Sequence, residues 1–262
     1  MTMAHTLPVY SPIAPQIKSV PVDQPWQWLA AGWRDLQREK FLSLSYGCAV
    51  FAVSLALTLV LFGADLPFLL LPMLAGFALV APMMAAGLYE ISRRLETGQP
   101  ISLGVGFDGI ARNPTQLGLM GMFLLMIHLA WIRTATLLFA LFYGVRDVSV
   151  ASLLDFLLTP SMSLTFLVVG TILGAALAAI AFAVSCVSIP MLLDRDVNVV
   201  EAVATSVLAV RLNWPAMALW AGLIAFATAV SIATFYLGFI LLMPLIGHAT
   251  WHAYRDLVTP PN

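Results

Sequence analysis

The sequence predicts an all-α, polytopic membrane protein: six transmembrane helices as three hairpins, each preceded by a cytoplasmic amphipathic helix. Three observations predict it. Of 262 residues, 61% are hydrophobic and only 10% charged, where a soluble domain carries roughly a quarter charged residues. A short amphipathic phrase is written three times, and each copy is followed by wholly apolar chain. Finally, lysine and arginine gather on one side of the spans that this pattern defines.

The phrase first stands at Trp26, Leu29, Trp33 and Leu36, then at Pro100, Leu103, Phe107 and Ile110, then at Val200, Val203, Val207 and Val210. That spacing lays one apolar face along a short helix. The echo extends beyond the face. Gly32-Trp33 matches Gly106-Phe107, Arg38 matches Arg112, Gly47 matches Gly121, and Asn113 matches Asn213. The chain therefore reads as a pseudo-three-fold repeat with units 26–94, 100–194 and 197–258, together a six-helix membrane domain over 26–258.

Residues 1–25 are rich in proline and polar residues, with no apolar core or small-residue cleavage site. They read as a disordered cytoplasmic tail with no removable signal peptide. The first amphipathic helix is expected over 26–38, with tryptophans suited to the headgroup region and Arg34, Arg38 and Lys40 in reach of lipid phosphates. Span one follows at 41–62 and span two at 66–90, closed by Arg93 and Arg94. The second amphipathic helix is expected over 101–112, broken by Asn113-Pro114. Asparagine at this joint, as at Asn213, can cap the helix that follows.

Span three starts near Thr115. Its apolar run to Tyr143 is longer than a hydrocarbon core of roughly 30 Å requires, so a bend beyond Arg133 is expected. A short interfacial helix is read at 148–159. Span four, 162–192, is rich in glycine and alanine, which lets backbones approach and marks it as a central packing helix. The third amphipathic helix covers 197–211, and spans five and six cover 215–234 and 236–256.

Six spans put both ends on one side. Arg34, Arg38, Lys40, Arg93, Arg94, Arg112, Arg195, Arg211 and Arg255 lie on that side, and Arg146 on the other, with Arg133 at its edge. The positive-inside rule makes the termini cytoplasmic and the protein a multi-pass resident of the bacterial cytoplasmic (inner) membrane. The inward spans rhyme as well. Pro82, Tyr89 and Arg93 share their spacing with Pro244, Trp251 and Arg255, and Pro190 with Arg195 is a shortened version. Pro82, Pro190 and Pro244 are read as helix-bend positions. Trp33, Tyr89, Arg93, Trp251 and Arg255 are read as interfacial anchors.

Polar chemistry inside the spans is sparse. His128 falls near mid-bilayer with Arg133 five residues on, a candidate intramembrane polar site. The alternative is a neutral imidazole bonded to a neighbouring helix. His248 and His252, four apart on one helix face, have the spacing of a haem or metal pair, against the plainer reading of two interfacial histidines. No carboxylate pair, nucleophile elbow or phosphate-binding glycine loop is present. No catalytic residue is assigned, and the chain reads as a non-enzyme. Net charge −1 gives no footprint for nucleic acid. Cys48 and Cys186 read as unpaired small residues. No cofactor is expected, haem or metal at His248 and His252 being the alternative.

The phrases Gly32-Trp33-Arg34-Asp35-Leu36, Ser43-Leu44-Ser45-Tyr46-Gly47 and Gly247 to Arg255 (Gly-His-Ala-Thr-Trp-His-Ala-Tyr-Arg) resemble an uncharacterised family of bacterial integral membrane proteins. Some of its members are labelled cytochrome c oxidase subunits. The resemblance implies a membrane protein and no established activity. Haem-copper catalytic subunits need six histidines, and this chain has four, so an accessory subunit fits the label better. The function expected is a non-enzymatic inner-membrane accessory or assembly protein, associated with a respiratory oxidase complex. Its partners are the lipid bilayer and other membrane subunits. A small-molecule or lipid transporter with a site on the pseudo-three-fold axis is the alternative, and haem or metal binding the second.

Overall fold

A computed structural model describes residues 17–64, 66, 69–102, 104–143 and 160–259. Among them the chain is helical, with one isolated antiparallel bridge between Ile17 and Val258 and no strand. The helices are α1 (Gln24–Arg38), α2 (Lys40–Gly63), α3 (Leu70–Met84), α4 (Ala86–Thr97), α5 (Val105–Arg112) and α6 (Pro114–Tyr143). They continue with α7 (Pro160–Ser185), α8 (Ser188–Asp194), α9 (Val199–Leu212), α10 (Trp214–Ala233) and α11 (Phe239–Leu257). Proline opens α1, α6, α7 and α10 within the first turn, where its missing N–H costs nothing and its fixed φ suits the helix. Gly98 ends α4 in the left-handed region at φ 65°, and Gln99 N–H returns to the Arg94 carbonyl, closing the helix end.

Four helical stretches are long and apolar enough to cross a membrane: Lys40–Gly63, Pro114–Phe142, Leu164–Asp194 and Trp214–Ala233. Two of the expected six are shorter or more polar, for physical reasons. The second is interrupted at Ala85, three residues after Pro82, so α3 is 15 residues long and α4 is a separate segment. The sixth, α11, carries His248, His252, Arg255 and Asp256 in its second half. Pro190 also lies beside a break, at Cys186-Val187, whereas α11 runs through Pro244 unbroken. The α7–α8 break leaves Val187 N–H without a helical partner. Ser206 of α9 supplies one, accepting at 3.2 Å while donating to the Ala183 carbonyl at 2.7 Å.

The long helices pack antiparallel. Against α3, α6 sets His128 opposite Gly76 and Gly121 opposite Met83. Against α7 it sets Trp131 opposite Gly174 and Phe139 opposite Phe166. The start of α2 meets α11, with Ser43 beside mid-helix His248 and Gly47 against the Ile240 backbone at the beginning of α11. The helix α6 runs to Tyr143 without a break, in place of the bend expected beyond Arg133. A second correction concerns α7. Only 11% of its apolar window is covered by protein, and nothing lies within 4 Å of a side chain added at Gly170. Among the described residues it is a peripheral helix, not the central one its small residues suggested.

Helices α1, α5 and α9 form close to the bounds expected of the three surface helices. Their buried strip lies beside the expected apolar stripe and overlaps it only at Leu36. Trp28, Gly32, Asp35 and Leu36 of α1 are buried, as are Val105 and Gly109 of α5 and Ala202, Thr205, Ser206 and Ala209 of α9. Trp33, Phe107 and Val207, each next to the buried or half-buried Gly32, Gly106 and Ser206, stay exposed. The strips seat on other helices: α1 on α11, α5 on α4, α9 on α7 and α8.

Two more expectations change. Residues 17–23 fall within the expected tail, yet Lys18 N–H donates to the Leu257 carbonyl at 2.8 Å, so this part is fixed against the C-terminal end. Asn213 makes no side-chain cap on α10. It accepts from Val20 N–H at 2.8 Å and donates to the Lys18 carbonyl at 3.0 Å, while Asn113 donates to the Val197 carbonyl at 3.2 Å. Both tie a joint to the segment leading into another surface helix. Residues 1–16 and the helix expected at 148–159 lie outside the described residues.

Candidate functional site

Where α1, α2, α4 and α11 meet, five polar side chains form two hydrogen-bonded groups: Asp35 with the half-buried His252, and Ser43 and Ser92 with the buried His248. Gly32 lets α1 approach the α11 backbone, where an added Cβ would stand 2.6 Å from Ala249 N. This closeness brings Asp35 to His252, whose Nε2 donates to Asp35 Oδ2 at 2.8 Å. On the α2 side Gly47 does the same for Ser43, whose Oγ lies 2.8 Å from His248 Nε2. From α4, Ser92 Oγ lies 2.8 Å from His248 Nδ1. His248 is 0% exposed, Ser43 0%, Ser92 1% and Asp35 5%.

An ionised Asp35 can only accept, so His252 Nε2–H donates to it. A neutral His248 donates from one ring nitrogen to one serine hydroxyl and accepts from the other serine at its second nitrogen. Burial pushes the Asp35 carboxyl up, but the His252 hydrogen bond, the polar Ser92 hydroxyl nearby and positive charge outweigh it and hold it below its ordinary value. Both nitrogens of His248 are thus engaged. Among the described residues no group of three His, Cys, Asp or Glu side chains could hold a metal ion.

A second buried cluster flanks the first. Glu90 of α4 accepts from Arg93 Nε and Nη2 at 2.7 and 2.8 Å and from Arg94 Nε at 2.9 Å. Arg94 continues to Asp108 of α5 at 2.8 Å. At the ends of α8 and α11, Tyr254 donates to Asp194 at 2.7 Å and accepts from Arg195 Nε at 2.8 Å. Arg255 and Trp251 both bond Glu96.

The sequence-derived candidates distribute as follows. His248 and His252 enter the same cluster but take separate partners. His128 is distant from them, packed over Gly76, and its Nδ1 has no hydrogen-bond partner among the described residues. Arg133 is exposed on α6. Of the expected anchors, Trp33 is exposed and Arg255 half-buried, whereas Tyr89, Arg93 and Trp251 are buried inside the helix cluster. Their surroundings are protein, which corrects the lipid-anchoring role. Asp35, Ser43, Ser92 and Glu90 were not singled out. Asp35 and Ser43 do sit in the phrases that carry the family resemblance, and those phrases converge here.

A family model described as predicted integral membrane protein (DUF2189) matches residues 70–194, from α3 through α8. This is the membrane family of unknown function that the sequence resembles. No curated protein and no solved structure matches the chain. The matched region contributes Ser92 and Glu90 to the two clusters, while Asp35, Ser43, His248 and His252 come from outside it.

Proposed function

We propose that this integral membrane protein is a non-enzymatic accessory or assembly factor of the bacterial inner membrane, acting by holding other membrane subunits. One observation carries the reading. The buried polar groups at the junction of α1, α2, α4 and α11 satisfy one another, and His248 is sealed from solvent. Such bonds clamp four helices in register. The cleft bounded by α2, α3, α10 and α11, lined by residues such as Ser54, Thr58 and Phe239, holds about 30 Å³, room for about one water. A transport site is usually several hundred Å³, so the transporter reading gains no support there.

We further propose that α3–α4 and α11 also cross, giving six spans with cytoplasmic termini. The antiparallel pairing supports this, because α6 begins at the joint beside α4 and α5, near the start of α2. The chain must return across the bundle between them. The bridge between Ile17 and Val258 requires an even number of crossings. The pseudo-three-fold repeat is supported by the shared register of Gly32, Gly106 and Ser206, and by each surface helix seating on another unit's inward helix. A respiratory oxidase is the partner that the family label suggests.

Purification in a mild detergent, with mass spectrometry of what co-elutes and an optical spectrum, tests the reading. Membrane subunits should co-purify in fixed ratio, an oxidase partner bringing its own Soret band. A single monodisperse species of this chain alone would overturn it. Reporter fusions at Asn262 should be active on the cytoplasmic side only.

A further inference from the structure

The outward face of α1 and the first two turns of α2 form one continuous surface. Trp26, Trp33, Arg34 and Arg38 are exposed on α1, followed by Lys40 and Phe41. Lys40, Phe41, Leu44, Ser45 and Cys48 continue it along one face of α2. That face is graded. A cation stands at one end, an aromatic ring follows, and Leu44 and Cys48 continue up the helix. Over eight residues it spans about 12 Å. The helix α2 is a candidate membrane span beginning at Lys40 itself, so the charged end sits at headgroup depth and the apolar end at acyl-chain depth.

The cations here also differ from those in the interior. Among the described residues Arg93, Arg94, Arg195 and Arg255 have carboxylate partners, whereas no ion pair joins Arg34, Arg38 or Lys40. Between residues 34 and 41 the carboxylates are Asp35, which faces inward to His252, and Glu39. Three cations against one carboxylate leave a net positive edge. A zwitterionic headgroup neutralises its own phosphate; an anionic one does not, and attracts such an edge. Exposed tryptophans on the same face suit the interface.

From this we infer a binding site for an anionic phospholipid of the cytoplasmic leaflet, its phosphate at Lys40 and Arg38 and an acyl chain along Leu44 and Cys48. The inference does not depend on the accessory-protein reading.

Lipid binding to the delipidated protein in detergent provides the test, with bound lipid counted by native mass spectrometry during titration with phosphatidylglycerol or phosphatidylcholine. Phosphatidylglycerol should fill one site several-fold more tightly than phosphatidylcholine. Lys40→Gln should weaken that site roughly fivefold, as loss of one cation near the surface implies, and Lys40→Arg should retain it. Arg211→Gln, at an exposed cation on α9, is the control. Equal binding of the two lipids, equal weakening by Arg211→Gln, or full preference in Arg38→Gln/Lys40→Gln with unchanged thermal unfolding would each overturn the proposal.

Discussion

Two regions of this molecule are built to opposite rules. Around α4 and the second half of α11, charged and polar side chains are inside: Glu90, Arg93, His248 and Asp35 are all buried. Along α7 and the far half of α6, apolar side chains are outside, Leu141, Leu164 and Ile172 among them. In water the second region would be an aggregation surface; in hydrocarbon it is simply solvated. The first region needs paired partners in either medium, because burying a charge alone is costly. The comparison teaches that the clusters confer a fixed geometry while the long helices provide residence in the membrane.

Mutations sharpen this contrast, and the largest effect is expected at Glu90. Glu90→Gln leaves Arg93 buried beside a neutral amide, and loss of one partner of a buried pair costs about 3–5 kcal/mol. Thermal unfolding in detergent should show it as a large drop in Tm. Next comes Gly32→Ala, where the new Cβ would meet Ala249 N at 2.6 Å and the Leu245 carbonyl at 2.9 Å. Separating two helix backbones should cost about 3 kcal/mol and expose His252 and Asp35 to faster hydrogen exchange nearby. His248→Leu strands the Ser43 and Ser92 hydroxyls, for a loss of about 2 kcal/mol.

A smaller effect is expected from pH. Asp35 is held below its ordinary value when folded. The folded state therefore binds the carboxyl proton less well than the unfolded chain. Its contribution is complete above the unfolded carboxylate value and is lost as pH falls through the folded one. Between neutral pH and about pH 3, Tm should fall further in the native chain than in Asp35→Asn, and parallel curves would refute the Asp35 assignment. The smallest change belongs to the bare region. Gly170→Ala meets nothing within 4 Å and should stabilise by under about 1 kcal/mol through helix propensity, against the loss at Gly32. An equal loss at both glycines would mean that α7 is covered by protein.

Much of the fold was legible because bilayer solvation acts on composition and period, which are local. The bounds of α1, α9 and α10 match the expected ones within a few residues, and proline marks several helix starts directly. The site was legible only in part. His248 and His252 drew notice by their spacing, yet their partners lie more than a hundred and fifty positions away, at Ser92, Ser43 and Asp35. Nothing local in Ser92 separates it from any other serine. Burial of α7 was misjudged for a related reason: small residues permit close packing but do not supply the neighbour.

The chain by itself determined that this is a helical membrane protein, where its surface helices begin and which residues could be close to a backbone. Those follow from apolar periodicity, proline and glycine, each acting within a few residues. Tertiary structure alone decided which face of each surface helix meets protein, and that the expected anchors Tyr89, Arg93 and Trp251 turn inward. It also decided that two histidines take separate partners instead of sharing one. Such choices depend on which distant helix arrives opposite, and that is fixed only when all the contacts form together.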